Sequence, residues 1–112
     1  MNNVVLIGRL TKDLVIKEVG ESKVVNFTLA VPRNYKNKEG DIDADFITCS
    51  AWNVNAENMF EFCKKGDLLG VEGELHTSTY EKDEVTHYKT EVLANRIKFL
   101  QTKKVEVVED GE

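Results

Sequence analysis

Metal-binding and cross-linking chemistry is what this sequence most plainly lacks. Its 112 residues hold two cysteines, Cys49 and Cys63, and two histidines, His76 and His87, with no CxxC spacing. That excludes a zinc site and a disulfide framework, which need clustered ligands or paired thiols, so both cysteines read as buried free thiols. No apolar run approaches the ~18 residues of a membrane span, and MNNVVLIGR has no basic region leading into a signal-type core. A cytoplasmic protein without a membrane partner is expected. Proline occurs once, at Pro32, where it should mark a strand's end or edge. An excess of base is missing too: the formal net charge is −5, whereas nucleic-acid binders show a basic footprint. The acid is unevenly placed, however. Glu106, Glu109, Asp110 and Glu112 crowd the end of the chain without a base among them, leaving the preceding residues close to neutral, with basic clusters at Arg33/Lys36/Lys38, Lys64/Lys65 and Lys103/Lys104. Charge alone decides nothing about a polyanionic partner.

What the chain does have is the length of one domain, with 41% hydrophobic residues, enough to bury a core. It also has one telling stretch, Asp45 to Asn53 (DFITCSAWN). Read as a strand, its alternation puts Ile47, Cys49 and Ala51 on a core face, and Phe46, Thr48, Ser50 and Trp52 on the other. The two rings of that second face stand roughly 20 Å apart at ~3.3 Å per residue. Flat apolar rings on a polar strand face suit the stacking of nucleobases. They would equally cover a second core layer or lie beneath a loop, so the rest of the chain must decide.

Asn3 to Leu10 reads as a strand, and Leu14 to Lys17 could prolong it after a bend. Val19 to Ser22 is a turn, and Lys23 to Val31 alternates as a second strand. Arg33 to Asp43 is polar and turn-rich, a long hairpin loop carrying Tyr35 among Arg33, Lys36 and Lys38. An aromatic flanked by cations is a single-strand-binding pattern, though an exposed tyrosine with no role looks the same. Asn55 is the expected N-cap of a helix from Ala56 to Lys65, with Lys64 and Lys65 in its last turn and Gly66 ending it. Met59, Phe62 and Cys63 would face the core. Leu68 to Thr77 is a strand bent at Gly70 and Gly73, Glu81 to Glu84 a hairpin tip flanked by Tyr80 and Tyr88, and Val92 to Leu100 the last strand. Residues 1–102 are expected to form the domain and 103–112 a frayed acidic tail.

Five main strands, a helix between the third and fourth and glycine-kinked bends describe an all-β OB-fold, a five-stranded Greek-key barrel. That architecture presents strands two and three to oligonucleotides, and to oligosaccharides as well. No catalysis is expected. Asp41, Asp43 and Asp45 alternate but lack the glycine-centred loop of a cation site, and no acid-base pair or phosphate cradle accompanies them. Neither metal nor cofactor is called for.

NVVLIGRLTKD, VNFTLAV, ADFITCSAW, AEN, KKGDLLGVEGEL and TEVLANRIKFL, in that order over about residues 2 to 100, resemble the bacterial-type single-stranded DNA-binding protein family, SSB. The resemblance implies a protein that coats single-stranded DNA, independent of sequence, in replication, recombination or repair, and a homotetramer. It implies base stacking at Tyr35, Phe46, Trp52 and Tyr80. Basic side chains able to reach a strand crossing that face are Arg9, Lys12, Arg33, Lys36, Lys38, Lys82 and Lys89. The family's long linker and acidic tip with a short hydrophobic end have no counterpart in VEVVEDGE, so the likeness is to short phage or secondary bacterial forms, and recruitment of replication or recombination proteins through such a tip is not implied. The alternative is an OB-fold interaction module, like a primosome adaptor, with weak DNA binding.

Overall fold

Period-two alternation of apolar residues becomes six strands and one helix in the computed structural model, which describes residues 1–101. These are β1 (Val4–Leu10), β2 (Ile16–Val19), β3 (Ser22–Lys36), β4 (Ile42–Trp52), α1 (Val54–Phe62), β5 (Leu68–Lys82) and β6 (Val85–Gln101). The acidic tail expected at 103–112, and Lys103 and Lys104 with it, lie outside the described residues.

Hydrogen bonding runs in the order β1-β5-β6-β4-β3-β2, and a further β1–β3 pairing bends the row into a ring of five strands with β2 appended on β3. This is the expected OB-fold barrel, with its helix between the third and fourth ring strands. Two of its seams are short. β1 meets β3 only at Arg9↔Ala30 and Leu10↔Leu29, and β4 meets β6, in parallel, only at Cys49↔Val92 and Ser50↔Leu93.

The inward residues of each strand fill the ring. Val25, Leu29, Cys49, Ala51, Leu69, Val71 and Val92 are buried, and Met59 enters from the helix as an end plug. Burial of this kind stabilises by about 25 cal/mol per Å² of apolar surface removed from water. β5 must curl tightly to close the ring, and it does so at a register shift between Glu72 and Gly73. A Cβ on Gly73 would stand 2.0 Å from the Leu93 carbonyl oxygen, so only glycine fits there. Burial pushes the Cys49 thiol up to about 12, helped by the charge of Glu91, and pushes Cys63 up to about 11, helped by Asp67.

Several boundaries differ from the sequence-based expectation. β3 does not stop at Pro32 but runs through it with a bulge to Lys36, so the hairpin's connection shrinks to residues 37–41. Ile16–Val19 is a separate strand, set off from β1 by residues 11–15, and it pairs farther along the same edge of β3 that β1 reaches, opposite β4. The helix begins after Asn53, not Asn55: the Asn53 side chain accepts from Lys23 N, and Asn55 Nδ2 donates to the Asn95 carbonyl. It also ends early. Asp67 Oδ2 accepts from Lys64 N at 2.8 Å, drawing the backbone into a turn before Lys64 and Lys65 can join the last helical turn. Phe62 is not core but 55% exposed, its ring tilted against Phe99 at 6.1 Å.

β5 and β6 continue pairing beyond the barrel as far as Lys82↔Val85, so both strands of the expected hairpin extend past the Leu68–Thr77 and Val92–Leu100 bounds read from the sequence. The tip is the two residues Asp83 and Glu84, both at positive φ, 56° and 62°. Hairpin turns of two residues need that geometry to match strand twist, normally with asparagine or glycine.

Candidate nucleic-acid interface

Register decides which side chains share a face, because residues directly opposite in a ladder point to the same side. On the outer face of β3 and β4 the rows are Val24–Trp52, Asn26–Ser50, Thr28–Thr48 and Ala30–Phe46. Arg9 extends the last row through its pairing with Ala30. Phe46 stands at the open end of the barrel, 68% exposed, and Trp52 at the helix end, 37% exposed. The sequence-based alternative, that these rings cover a second core layer, is thereby overturned for Phe46. Trp52 lines a shallow cleft together with Leu93 and Asn95 and keeps part of its ring in solvent.

The same outer face continues onto the β5–β6 ribbon. Ser50 lies beside Leu93, Leu93 opposite Glu74, and counting by twos from Glu74 along β5 reaches His76, Ser78 and Tyr80. Tyr80 is 52% exposed and stacked on His87 at 5.1 Å, with the rings 15° from parallel. One face of Tyr80 is therefore covered by the imidazole and the other is open. Sequence reasoning missed His87. Its signal was the two-residue tip, which sets Tyr80 opposite His87 once Asp83 and Glu84 are read as the turn. Tyr88, 78% exposed, points to the ribbon's other side opposite Thr79.

Tyr35, 64% exposed, sits near the end of β3, where it lines a shallow polar cleft with Arg33 and Asp45. Arg33 donates from Nε and Nη2 to the same Asp45 oxygen, at 3.1 and 2.8 Å. Its pKa is held above the ordinary value by that hydrogen bond and by the attraction of the same carboxylate. Of the other cations, Arg9 donates to the Gly66 carbonyl and to Gln101 Oε1, and Lys89 pairs with Glu91 at 3.2 Å. Among the described residues Lys12, Lys36, Lys38 and Lys82 are exposed and make no salt bridge. Free charge on this surface is therefore thinner than the count of basic residues implies. No cluster of three or more metal-ligating side chains occurs among the described residues, and Asp43 and Asp45 are engaged by Asn37 and Arg33. No helix there is long and apolar enough to cross a membrane.

A family model described as the single-strand binding protein family matches residues 1–100. The chain is similar to single-stranded DNA-binding protein B of Bacillus subtilis (strain 168), 43% identical over 97% of this chain and 98% of that protein. It is similar to single-stranded DNA-binding protein 3 of Listeria innocua, 47% identical over 92% of this chain and 66% of that one. A single-stranded DNA-binding protein of Bacillus cereus is 47% identical over 90% of this chain and 61% of its own. The chain thus spans nearly all of the first relative, and under two thirds of the length of the other two.

Proposed function

Because this chain belongs to the single-strand binding protein family, we propose that it coats single-stranded DNA in the cytoplasm, without regard to sequence, during replication, recombination or repair. Residues 1–102 are the binding unit. Bases stack on Phe46, Trp52, Tyr80 and Tyr35, and phosphates are met by the cations around them, chiefly Lys12, Lys36, Lys38 and Lys82, with Arg9, Arg33 and Lys89 already sharing their charge with protein groups. The observation that carries this reading is the run of exposed rings on one sheet face, Phe46 and Trp52 on β4 and Tyr80 on the ribbon. Stacking on such rings is worth about 1–3 kcal/mol per base and tolerates any base. The role is binding rather than catalysis, and it calls for no cofactor. Val5 and Ile7, 64% and 54% exposed on the outer side of β1, form a second apolar surface suited to self-association, in keeping with a homotetramer.

The test uses the single tryptophan. Oligo-dT is expected to quench Trp52 emission while duplex of equal length leaves it unchanged, and Trp52→Ala to cost about 1–3 kcal/mol of affinity with little change in melting temperature. Emission that stays constant through saturating oligo-dT would reject the stacking role and leave the interaction-module reading.

A further inference from the structure

The chain has two histidines, and the fold brings both to one face of the β5–β6 ribbon, the face that carries Tyr80. Register places them there. Glu74 lies opposite Leu93, His76 opposite Glu91, Ser78 opposite Lys89 and Tyr80 opposite His87, and the members of each pair point to the same side. Imidazole is the side chain that ordinarily changes charge between pH 5 and 8, so the charge that this face gains or loses in that range comes from these two rings.

The two rings stand in different company. His76 is exposed, with Nε2 3.1 Å from Glu74 Oε1, and Glu91 lies opposite it, so a proton gained there is matched at once by a carboxylate. His87 is half-buried and stacked on Tyr80, and among the described residues it makes no hydrogen bond or ion pair. The charged side chains that share its stretch of the face are Lys82 on β5 and Lys89 on β6, and Glu91 beyond them is already paired with Lys89 at 3.2 Å. Glu81, opposite Thr86, belongs to the ribbon's other side, and Asp83 and Glu84 form the tip. A proton gained at His87 therefore meets no free carboxylate beside it.

Resting on the single-stranded DNA reading, we propose that His87 is a positioning residue for Tyr80 and that its proton couples binding of the strand to pH. The stack fixes one side of the phenol ring before a base arrives on the other, so less side-chain freedom remains to be lost on binding. Neutral, His87 supports the ring. Protonated, it also sets a cation against the ring's covered face, where a cation is attracted by the aromatic system, and close to the phosphates of a strand whose base lies on the open face. The sign follows from that placement. A bound strand favours the imidazolium, so affinity rises as pH falls through this range, and by reciprocity His87 holds its proton to higher pH when the strand is bound. His76 acts in the same direction but more weakly, because its proton only masks Glu74.

The experiment titrates oligo-dT, whose bases keep their charge in this range, into untagged protein at fixed salt from pH 7.5 to 5.5, following Trp52 emission. The unaltered chain is compared with His87→Phe, His87→Ala and His76→Gln. Affinity of the unaltered chain should be about threefold to tenfold tighter at pH 5.5 than at pH 7.5. His87→Phe keeps a ring against Tyr80 and should hold the affinity of pH 7.5 while losing most of the rise. His87→Ala should bind more weakly at both ends, and His76→Gln should keep most of the rise. The imidazole NMR signals of the unaltered chain supply a reading that needs no substitution: His87 should titrate at higher pH with oligo-dT bound than without. Affinity that stays flat with pH, a full rise surviving in His87→Phe, or His87 signals that titrate alike with and without oligo-dT would overturn the proton coupling. His87→Ala binding as tightly as the unaltered chain at pH 7.5 would overturn the positioning role. In each of these cases Trp52 quenching leaves the single-stranded DNA reading standing, whereas its absence at every pH would reject that reading itself.

Discussion

Cys49 and Cys63 show how far single residues were legible. Cys49 falls on the core side of β4 by alternation alone, so its burial, the main cause of its raised pKa, could be read from the sequence, but the smaller contribution of Glu91 arrives from another strand. A thiol whose folded pKa is raised keeps its proton longer in the folded than in the unfolded chain. Its stabilisation is thus fully present below the unfolded value of ~8.5 and is lost as pH climbs from there toward about 11 for Cys63 and about 12 for Cys49. Melting temperature should accordingly fall from above pH 9, with a loss of up to about 1.4 kcal/mol per pH unit for each thiol. Thermal melts from pH 8 to 11 check this, and Cys49→Ala should flatten the alkaline decline by about half. An identical decline in that variant would assign the effect to other groups. Ring positions on β4 were legible for the same reason as Cys49, because a period of two needs no partner. The engagement of Arg33 by Asp45 and the stacking of His87 on Tyr80 were not, since each requires a cross-strand register.

Elements were legible in kind and less so in extent. Alternation found the ring strands, and the run from Ala56 found the helix, but side chains that reach across to other segments set its limits. Asn53 and Asn55 spend their amides on Lys23 and Asn95, and Asp67 turns the chain at Lys64. No local propensity reveals such long-range competition. The ribbon was underestimated because its outer residues carry no apolar period: strand there is held by backbone pairing, with the Tyr80–His87 stack across it. Its tip is the weak point, with a glutamate in left-handed conformation at φ 62°. A left-handed residue with a side chain costs about 1–2 kcal/mol. Glu84→Gly should therefore stiffen the ribbon, raising hydrogen-exchange protection of the Thr79 to Tyr88 amides by roughly fivefold to tenfold, against which the looser unfolded chain of a glycine works in part. Protection unchanged or lower would mean that the tip is not what limits the ribbon.

At the scale of the whole molecule, weak free charge and generous aromatic surface set how binding responds to conditions. Arg33 and Lys89 are paired with carboxylates and Arg9 with the Gly66 carbonyl and Gln101, which leaves Lys12, Lys36, Lys38 and Lys82, three or four cations per barrel, to displace counterions. A slope of about −2 to −3 in log K against log salt is expected, and oligo-dT binding should persist in moderately high salt. A slope steeper than about −5 would mean that phosphates, not rings, dominate. The second apolar surface on β1 leads to a separate outcome: sedimentation at micromolar concentration should report a closed homo-oligomer, and Val5→Lys with Ile7→Lys should shift it toward monomer without abolishing the fold. A monomer from the unaltered chain would reject this assembly.

The parallel seam between β4 and β6 joins two residues of each strand, Cys49 with Val92 and Ser50 with Leu93, and Trp52 follows two residues along β4. A ring hinged so narrowly has a clasp, and whatever straddles that clasp from outside holds it shut by mass action, since it binds the fastened ring and not the sprung one. A DNA strand bound across that seam would therefore raise the stability of the closed barrel as well as being held by it.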